Sequence, residues 1–171
     1  MGMPCLLLTY TTFSFSVTSG IETAIPWTTV DYNSGPESWW DSGTPSQIVM
    51  PWVGPYLFTA NVYWDEVAGG LRSAYLVKGT DVTDINTRVA NQSHIAATNT
   101  ESYLNNKVTQ VIQTTQENEV YTVGVHSSGT VGALEAQWDH PAACASFVYL
   151  GTASHGSVIV NRQSIVRSNF W

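Results

Sequence analysis

Hydrophobic and polar residues alternate along much of this chain with a period of two. Phe13, Phe15 and Val17 fall on one side and Thr12, Ser14 and Ser16 on the other, so the stretch from Leu8 to Val17 predicts a strand with one buried face. Tyr56, Phe58, Ala60, Val62 and Trp64 alternate in the same way with Leu57, Thr59, Asn61 and Tyr63. Leu71–Lys78 follows, bounded by Gly69-Gly70 and Gly79. Further strands are predicted at Lys107–Thr115, at Val120–His126 with Tyr121, Val123 and Val125 on one face, at Ser146–Leu150 and at Ser157–Asn161. Turn formers separate them at Asn33-Ser-Gly-Pro36, Ser42-Gly-Thr-Pro45, Ser127-Ser-Gly129 and His155-Gly156. Val, Thr, Tyr and Trp are the residues that a pleated, half-buried surface selects. No long segment carries a capped helical stripe, and Ser93–Asn106 reads as loop or strand. Many short strands with turns between them predict one all-β domain, a sandwich or a barrel.

Composition narrows the functional classes. Only 11% of the 171 residues are charged, against roughly 25% in an average soluble domain. Aromatics make up 12%, with seven Trp. Such a chain is not intrinsically disordered, because disorder requires low hydrophobicity and high net charge. Six basic residues against 13 acidic ones give a net charge of −7, which excludes a nucleic-acid partner, since that affinity comes largely from Lys and Arg on phosphates. The charge is also unevenly distributed. Glu22, Asp31, Glu37, Asp41, Asp65 and Glu66 all precede the first basic residue, Arg72. The acidic first half either presents a directional partner surface or simply keeps the protein soluble.

The opening MGMPCLLLTY lacks a basic residue before its short apolar run and makes a poor signal peptide. No stretch approaches the roughly 18 apolar residues of a membrane span, so the expectation is a soluble protein with no membrane partner. Cys5 and Cys144 lie near opposite ends of the chain in strand-like contexts. One pair is not a disulfide framework, and two buried free thiols are expected. Asn91-Gln92-Ser93 matches a glycosylation sequon, which has no meaning without secretion.

Catalytic chemistry finds little support. His94, His126, His140 and His155 show no metal-ligand spacing. Asp139-His140 and Ser154 could sketch a triad, but Thr152 stands where a nucleophile elbow needs Gly. Asp81, Asp84 and Asn86 form a superficially calcium-like run that lacks the Gly and the distal acid of a binding loop. Asp65-Glu66 reads as a polar turn, and no phosphate-binding loop is present. No enzyme, cofactor or metal is predicted. Trp39, Trp40 and Trp52 cluster among Gly and Pro. They form either a platform for stacking a sugar or a plug at the end of the sandwich or against a neighbour, and the second is favoured because Trp anchors protein interfaces.

Several segments carry a more specific resemblance. Ile48-Val-Met-Pro51-Trp-Val-Gly54-Pro-Tyr56 with its alternating continuation to Trp64, Gly70–Gly79, Glu117–Gly129 and Ser146–Gly151 resemble the strands of the tumour-necrosis-factor/complement-type jelly roll. Ser16–Trp27, Trp39-Trp-Asp41 and the Pro51 strand are similar to structural proteins of tailed bacteriophages, in which such jelly rolls serve as capsid decoration (cement) subunits or fibre knobs. The resemblance spans roughly residues 9–151. It implies an antiparallel β-sandwich jelly roll over residues 1–151, with 152–171 as a C-terminal extension forming an arm or an extra edge strand. It also implies a homotrimer packed through aromatic faces, for which Tyr63, Tyr75, Tyr103 and Trp138 are the candidate interface residues. The expected role is a decoration subunit in the virion, bound to the major capsid protein or other virion proteins, with residues 1–20 and 152–171 as arms reaching neighbours. The alternative is a fibre knob that reads host surface glycan through Trp39, Trp40 and Trp52.

Overall fold

The computed structural model describes residues 3–12, 14–64, 70–90, 93–96, 104–128, 132–135 and 141–151. The longest strand, Gly54–Trp64, shows how the sandwich is organised. Tyr56, Phe58, Ala60, Val62 and Trp64 are fully buried, while Leu57, Thr59, Asn61 and Tyr63 between them are only half-buried. In chain order the strands are β1 (Cys5–Tyr10), β2 (Ser14–Val17), β3 (Thr23–Ala24), β4 (Thr29–Asn33), β5 (Gln47–Met50), β6 (Gly54–Trp64), β7 (Leu71–Lys78), β8 (Ser93–Ala96), β9 (Leu104–Thr114), β10 (Glu119–Ser127), β11 (Gly132–Glu135) and β12 (Ala143–Tyr149). Two short 3-10 turns, Glu37–Trp39 and Ile85–Thr87, interrupt the loops.

The strands form two antiparallel sheets. The first runs β2-β11-β6-β12-β1-β4, with β9 also paired along the whole of β6. The second runs β3-β10-β7-β8, with β5 paired to β10. Their inner faces share one core: Leu6, Leu8, Phe58, Val62 and Phe147 from the first sheet pack with Ile48, Leu76, Val123 and Val125 from the second. Phe58 and Phe147 are register partners whose ring centres lie 5.0 Å apart. The fold is an antiparallel β-sandwich jelly roll.

Local chemistry sets the strand ends. Gly54 opens β6 at φ +142°, and a Cβ there would stand 3.0 Å from the Tyr149 ring, so only Gly lets the two strands close at this end. Its N–H donates to Thr114 Oγ1 at 2.8 Å. Asn118, at φ 58°, makes the left-handed residue of the β9–β10 turn, a conformation Asn tolerates better than other side chains.

The alternating stretch from Leu8 to Val17 is not one strand. β1 ends at Tyr10, where Thr11 turns its N–H onto Thr28 Oγ1, and β2 rejoins the same sheet on β11, three strands away from β1. Periodicity records which face is buried and is blind to a change of pairing partner. β1 is also no arm: it lies between β12 and β4 and buries Leu6 and Leu8. The strand expected at Ser146–Leu150 begins earlier, at Ala143, because Ala143 and Cys144 continue the ladder opposite Val62 and Asn61. Phe13, Ser157–Asn161 and the extension 152–171 lie outside the described residues.

Candidate assembly face and edge groove

The two sheets treat their outward faces differently. On the second sheet the chain covers its own surface. Tyr75 on β7 points outward yet is fully buried, packed with Val77, Val82 and Ala24. Its ring lies over Gly124, its register partner on β10, where a Cβ would overlap it. The Arg88 guanidinium sits 3.9 Å from the ring centre and pairs with Glu22 at 3.0 Å, a cation–π and ion-pair stack that closes the residue 79–90 loop over the sheet. The Tyr75 hydroxyl donates to the Val82 carbonyl at 3.3 Å, and burial raises its pKa well above the usual phenol range. Tyr75 thus presents nothing to a second copy; the sequence-based expectation of an interface role is corrected by a loop that alternation does not reveal.

On the first sheet the outward face is left open. Leu7 of β1, Val148 and Ser146 of β12, Leu57, Thr59 and Tyr63 of β6, and Val111 of β9 point away from the core and keep part of their surface exposed. Lys107 on β9 is the one charged side chain among the described residues that alternation directs outward on β1, β12, β6 and β9. Tyr63, one of the candidate interface residues, stands on this face; Tyr103 and Trp138 lie outside the described residues. Cys5 and Cys144 are both free and half-buried here rather than fully buried. Cys5 pairs with Val148 and Cys144 with Thr9, placing the two sulfurs about four residues or ~13 Å apart along the ladder, beyond disulfide reach. Desolvation raises the Cys5 thiol pKa, and Cys144 Sγ accepts a 3.6 Å hydrogen bond from Asn61 Nδ2.

The three tryptophans, read from the sequence as a sugar platform or, in the favoured reading, as a plug or neighbour contact, separate. Trp39 is fully buried, edge-on to Trp52 at 5.7 Å and to Tyr56 at 6.2 Å. Trp52 packs on Tyr149 at 5.1 Å. The Tyr56 hydroxyl joins this plug by donating to the Trp52 carbonyl at 2.9 Å, and burial pushes its pKa up to about 12. Trp39 and Trp52 therefore close the end of the sandwich. Trp40 alone faces a groove of about 600 Å³ lined by Val30, Asn33, Glu37, Ser38, Asp41 and Ser42, with Leu6 beneath. Its indole N–H donates to the Pro45 carbonyl at 2.9 Å, which holds the ring in place. The groove spans the two sheets, since Val30 and Asn33 belong to β4 of the first and Trp40 bridges Ile48 of β5 in the second.

A carboxylate that the sequence did not single out ties the β9–β10 turn to the second sheet. Glu119 accepts from Thr115 N and Oγ1, Gln116 N and Tyr121 Oη, and pairs with Lys78 Nζ at 2.9 Å. Burial alone would raise its pKa, but the Lys78 charge and these hydrogen bonds outweigh it and hold the carboxyl at about 2. A Glu four residues after a Thr in a turn is the only sequence signal for this node. The Asp81–Asn86 run is a pair of local turns: Asp81 Oδ1 accepts from Thr83, and Asp84 Oδ1 caps the 3-10 turn at Asn86 N. Among the described residues no three His, Cys, Asp or Glu side chains converge on a metal position. His126 is half-buried on β10; His140, His155, Asp139, Ser154 and Asp65-Glu66 lie outside the described residues, as does the His94 side chain.

No family model matches the chain, and no curated protein matches it. Solved structures do. The fold is similar to the crystal structure of murine APRIL at pH 5.0, with a TM-score of 0.62 over 87% of this chain and 100% of that one at 11% identity. It is also similar to Eiger TNF from S. frugiperda, with a TM-score of 0.57 over 92% and 98% of the two chains at 13% identity. The chain has a jelly roll of the tumour-necrosis-factor type.

Proposed function

We propose that this chain is a non-enzymatic structural protein of a phage virion: a homotrimeric subunit that binds the outside of the capsid and stabilises it. The observation that carries the assembly is the open, nearly uncharged outward face of β1, β12, β6 and β9. Interface cores are depleted of charge and enriched in aromatic residues such as Tyr63, and the family resemblance implies a threefold assembly. The capsid role is supported by the similarity of the Ser16–Trp27 and Trp39–Asp41 segments to phage structural proteins. A ligand that binds only the assembled shell stabilises it by mass action. Sedimentation at micromolar concentration is expected to give a species three times the 18.7 kDa chain; a stable monomer would refute the trimer. Purified particles are expected to carry the chain at copies matching the threefold positions of the shell, and particles lacking it would refute the virion role.

The second reading, a fibre knob that binds host glycan, draws support from Trp40 beside Glu37 and Asp41 in the groove. A glycan array giving binding that disappears in Trp40→Ala would replace the first reading with this one.

A further inference from the structure

The acids that crowd the first part of the chain do not all serve the same end. Glu22 is paired with Arg88, and Asp31 accepts from Thr9 Oγ1 at 3.1 Å, whereas Glu37 and Asp41 line the groove with Trp40 between them in sequence. No basic residue lines it. Of the described cations, Lys78 and Arg88 are paired with Glu119 and Glu22, Arg72 stacks on Trp64, and Lys107 stands on the outward face of β9. We propose that the groove receives an arginine side chain from a basic segment of a partner protein, with its guanidinium stacked on the Trp40 indole and bound by the Glu37 and Asp41 carboxylates. The groove shares no lining residue with the outward face of β1, β12, β6 and β9, so the site stands whether or not the chain forms a trimer or belongs to a virion.

The polar groups of the groove decide which ligand fits. Most of its donors are already spent. The Trp40 indole N–H is held by the Pro45 carbonyl at 2.9 Å, so the ring has only its face to offer. The Asn33 amide closes its own loop, with Nδ2 donating to the Pro36 carbonyl at 3.2 Å and Oδ1 accepting from Gly35 N at 2.8 Å. Asp41 Oδ1 accepts from Gly43 N at 2.9 Å, which fixes that carboxylate and leaves Oδ2 to a ligand. Glu37 is exposed and has no hydrogen bond or ion pair among the described residues. Apart from the hydroxyls of Ser38 and Ser42, what remains is two carboxylates and an aromatic face. A sugar hydroxyl both donates and accepts, whereas a guanidinium carries five donors and no acceptor. Its plane also stacks on an indole while its edge reaches carboxylates, two roles that a compact ammonium fills less well. Val30, 37% exposed on the groove wall, suits the aliphatic stem. A volume of about 600 Å³ leaves room for the residues that flank the arginine in its segment.

The test titrates the full chain with a short Gly/Ser peptide carrying arginine, and with the same peptide carrying lysine or uncharged citrulline instead. Nitrogen-15 NMR follows the Trp40 indole N–H, whose signal is assigned by its absence from Trp40→Phe. The arginine peptide is expected to shift that signal with a Kd of about 0.1–1 mM, as one stacked ring and two exposed ion pairs allow, the lysine peptide to bind more weakly, and the citrulline peptide not at all. Backbone amide shifts of residues 37–43 give the affinity in the variants. Glu37→Gln/Asp41→Asn is expected to weaken binding about fivefold. Both positions are exposed, and the Asn side chain keeps an acceptor for the Gly43 N–H, so the fold is retained. Trp40→Ala is expected to lose a similar factor and Trp40→Phe to recover part of it. Asp81→Asn/Glu117→Gln removes the same charge elsewhere on the surface and is expected to leave the affinity unchanged. Sedimentation of the same samples reads association separately. No binding by the parent protein, equal affinity for the lysine peptide, equal loss in Asp81→Asn/Glu117→Gln, or Trp40-dependent binding of a glycan in place of the peptide would each overturn the proposal.

Discussion

β6 and β7 run in different sheets, and their outward faces differ. Along β7 all six residues from Arg72 to Val77 are buried: Ala74 and Leu76 lie in the shared core, while Tyr75 and Val77 are covered by the residue 79–90 loop, locked there through Arg88 and Glu22. Along β6 burial alternates strictly, and Leu57, Thr59, Asn61 and Tyr63 stay half-exposed. Both outward faces are poor in charge, but only one is covered by its own described chain. A sheet face that is neither charged nor covered is suited to a second copy, whereas the covered face is already part of a fold that closes on itself.

The sharpest way to break this contrast is to charge the open face. Leu57→Asp is expected to abolish association, since each subunit would bury a carboxylate at a cost of several kcal/mol, while the separated chain keeps its near-ultraviolet circular dichroism. Sedimentation and spectroscopy on the same sample check both. On the covered face Tyr75→Ala is expected to lower unfolding stability by about 3–5 kcal/mol, read from urea denaturation. Glu119, which ties the β9–β10 turn to β7 and β10, gives a pH test. Its pKa falls from an ordinary 4.5 to about 2 on folding, so its stabilisation is complete above the ordinary value and is lost as pH falls from about 5 toward 2. The shift corresponds to about 3 kcal/mol. Thermal midpoints are expected to drop steeply across that window in the parent protein and to change much less in Glu119→Gln. Gly124→Ala, which sets a Cβ into the Tyr75 ring, is expected to cost about 1–3 kcal/mol by the same denaturation, with association unaffected.

The β class and the buried faces of β6 and β10 were readable from alternation, and the jelly roll from the motifs around Pro51 and Gly54. The break between β1 and β2 was not, because a strand that changes neighbours keeps its period of two. β4 escaped for a different reason: it buries neither face, so it leaves no alternation to read. The tryptophan cluster was visible as a cluster, but its division into a sealed pair, Trp39 and Trp52, and a groove-lining Trp40 depends on Tyr56 and on Tyr149, which arrives from a strand distant in sequence.

Sequence alone determined which residues can be buried, because burial follows side-chain chemistry and the two-residue repeat. It also determined that charge is too scarce to cover every face. Tertiary structure decided which face is covered. That choice lies in contacts such as Arg88 on Tyr75 and on Glu22, which stands 66 positions earlier in the chain, and no local pattern encodes a pairing made across such distances.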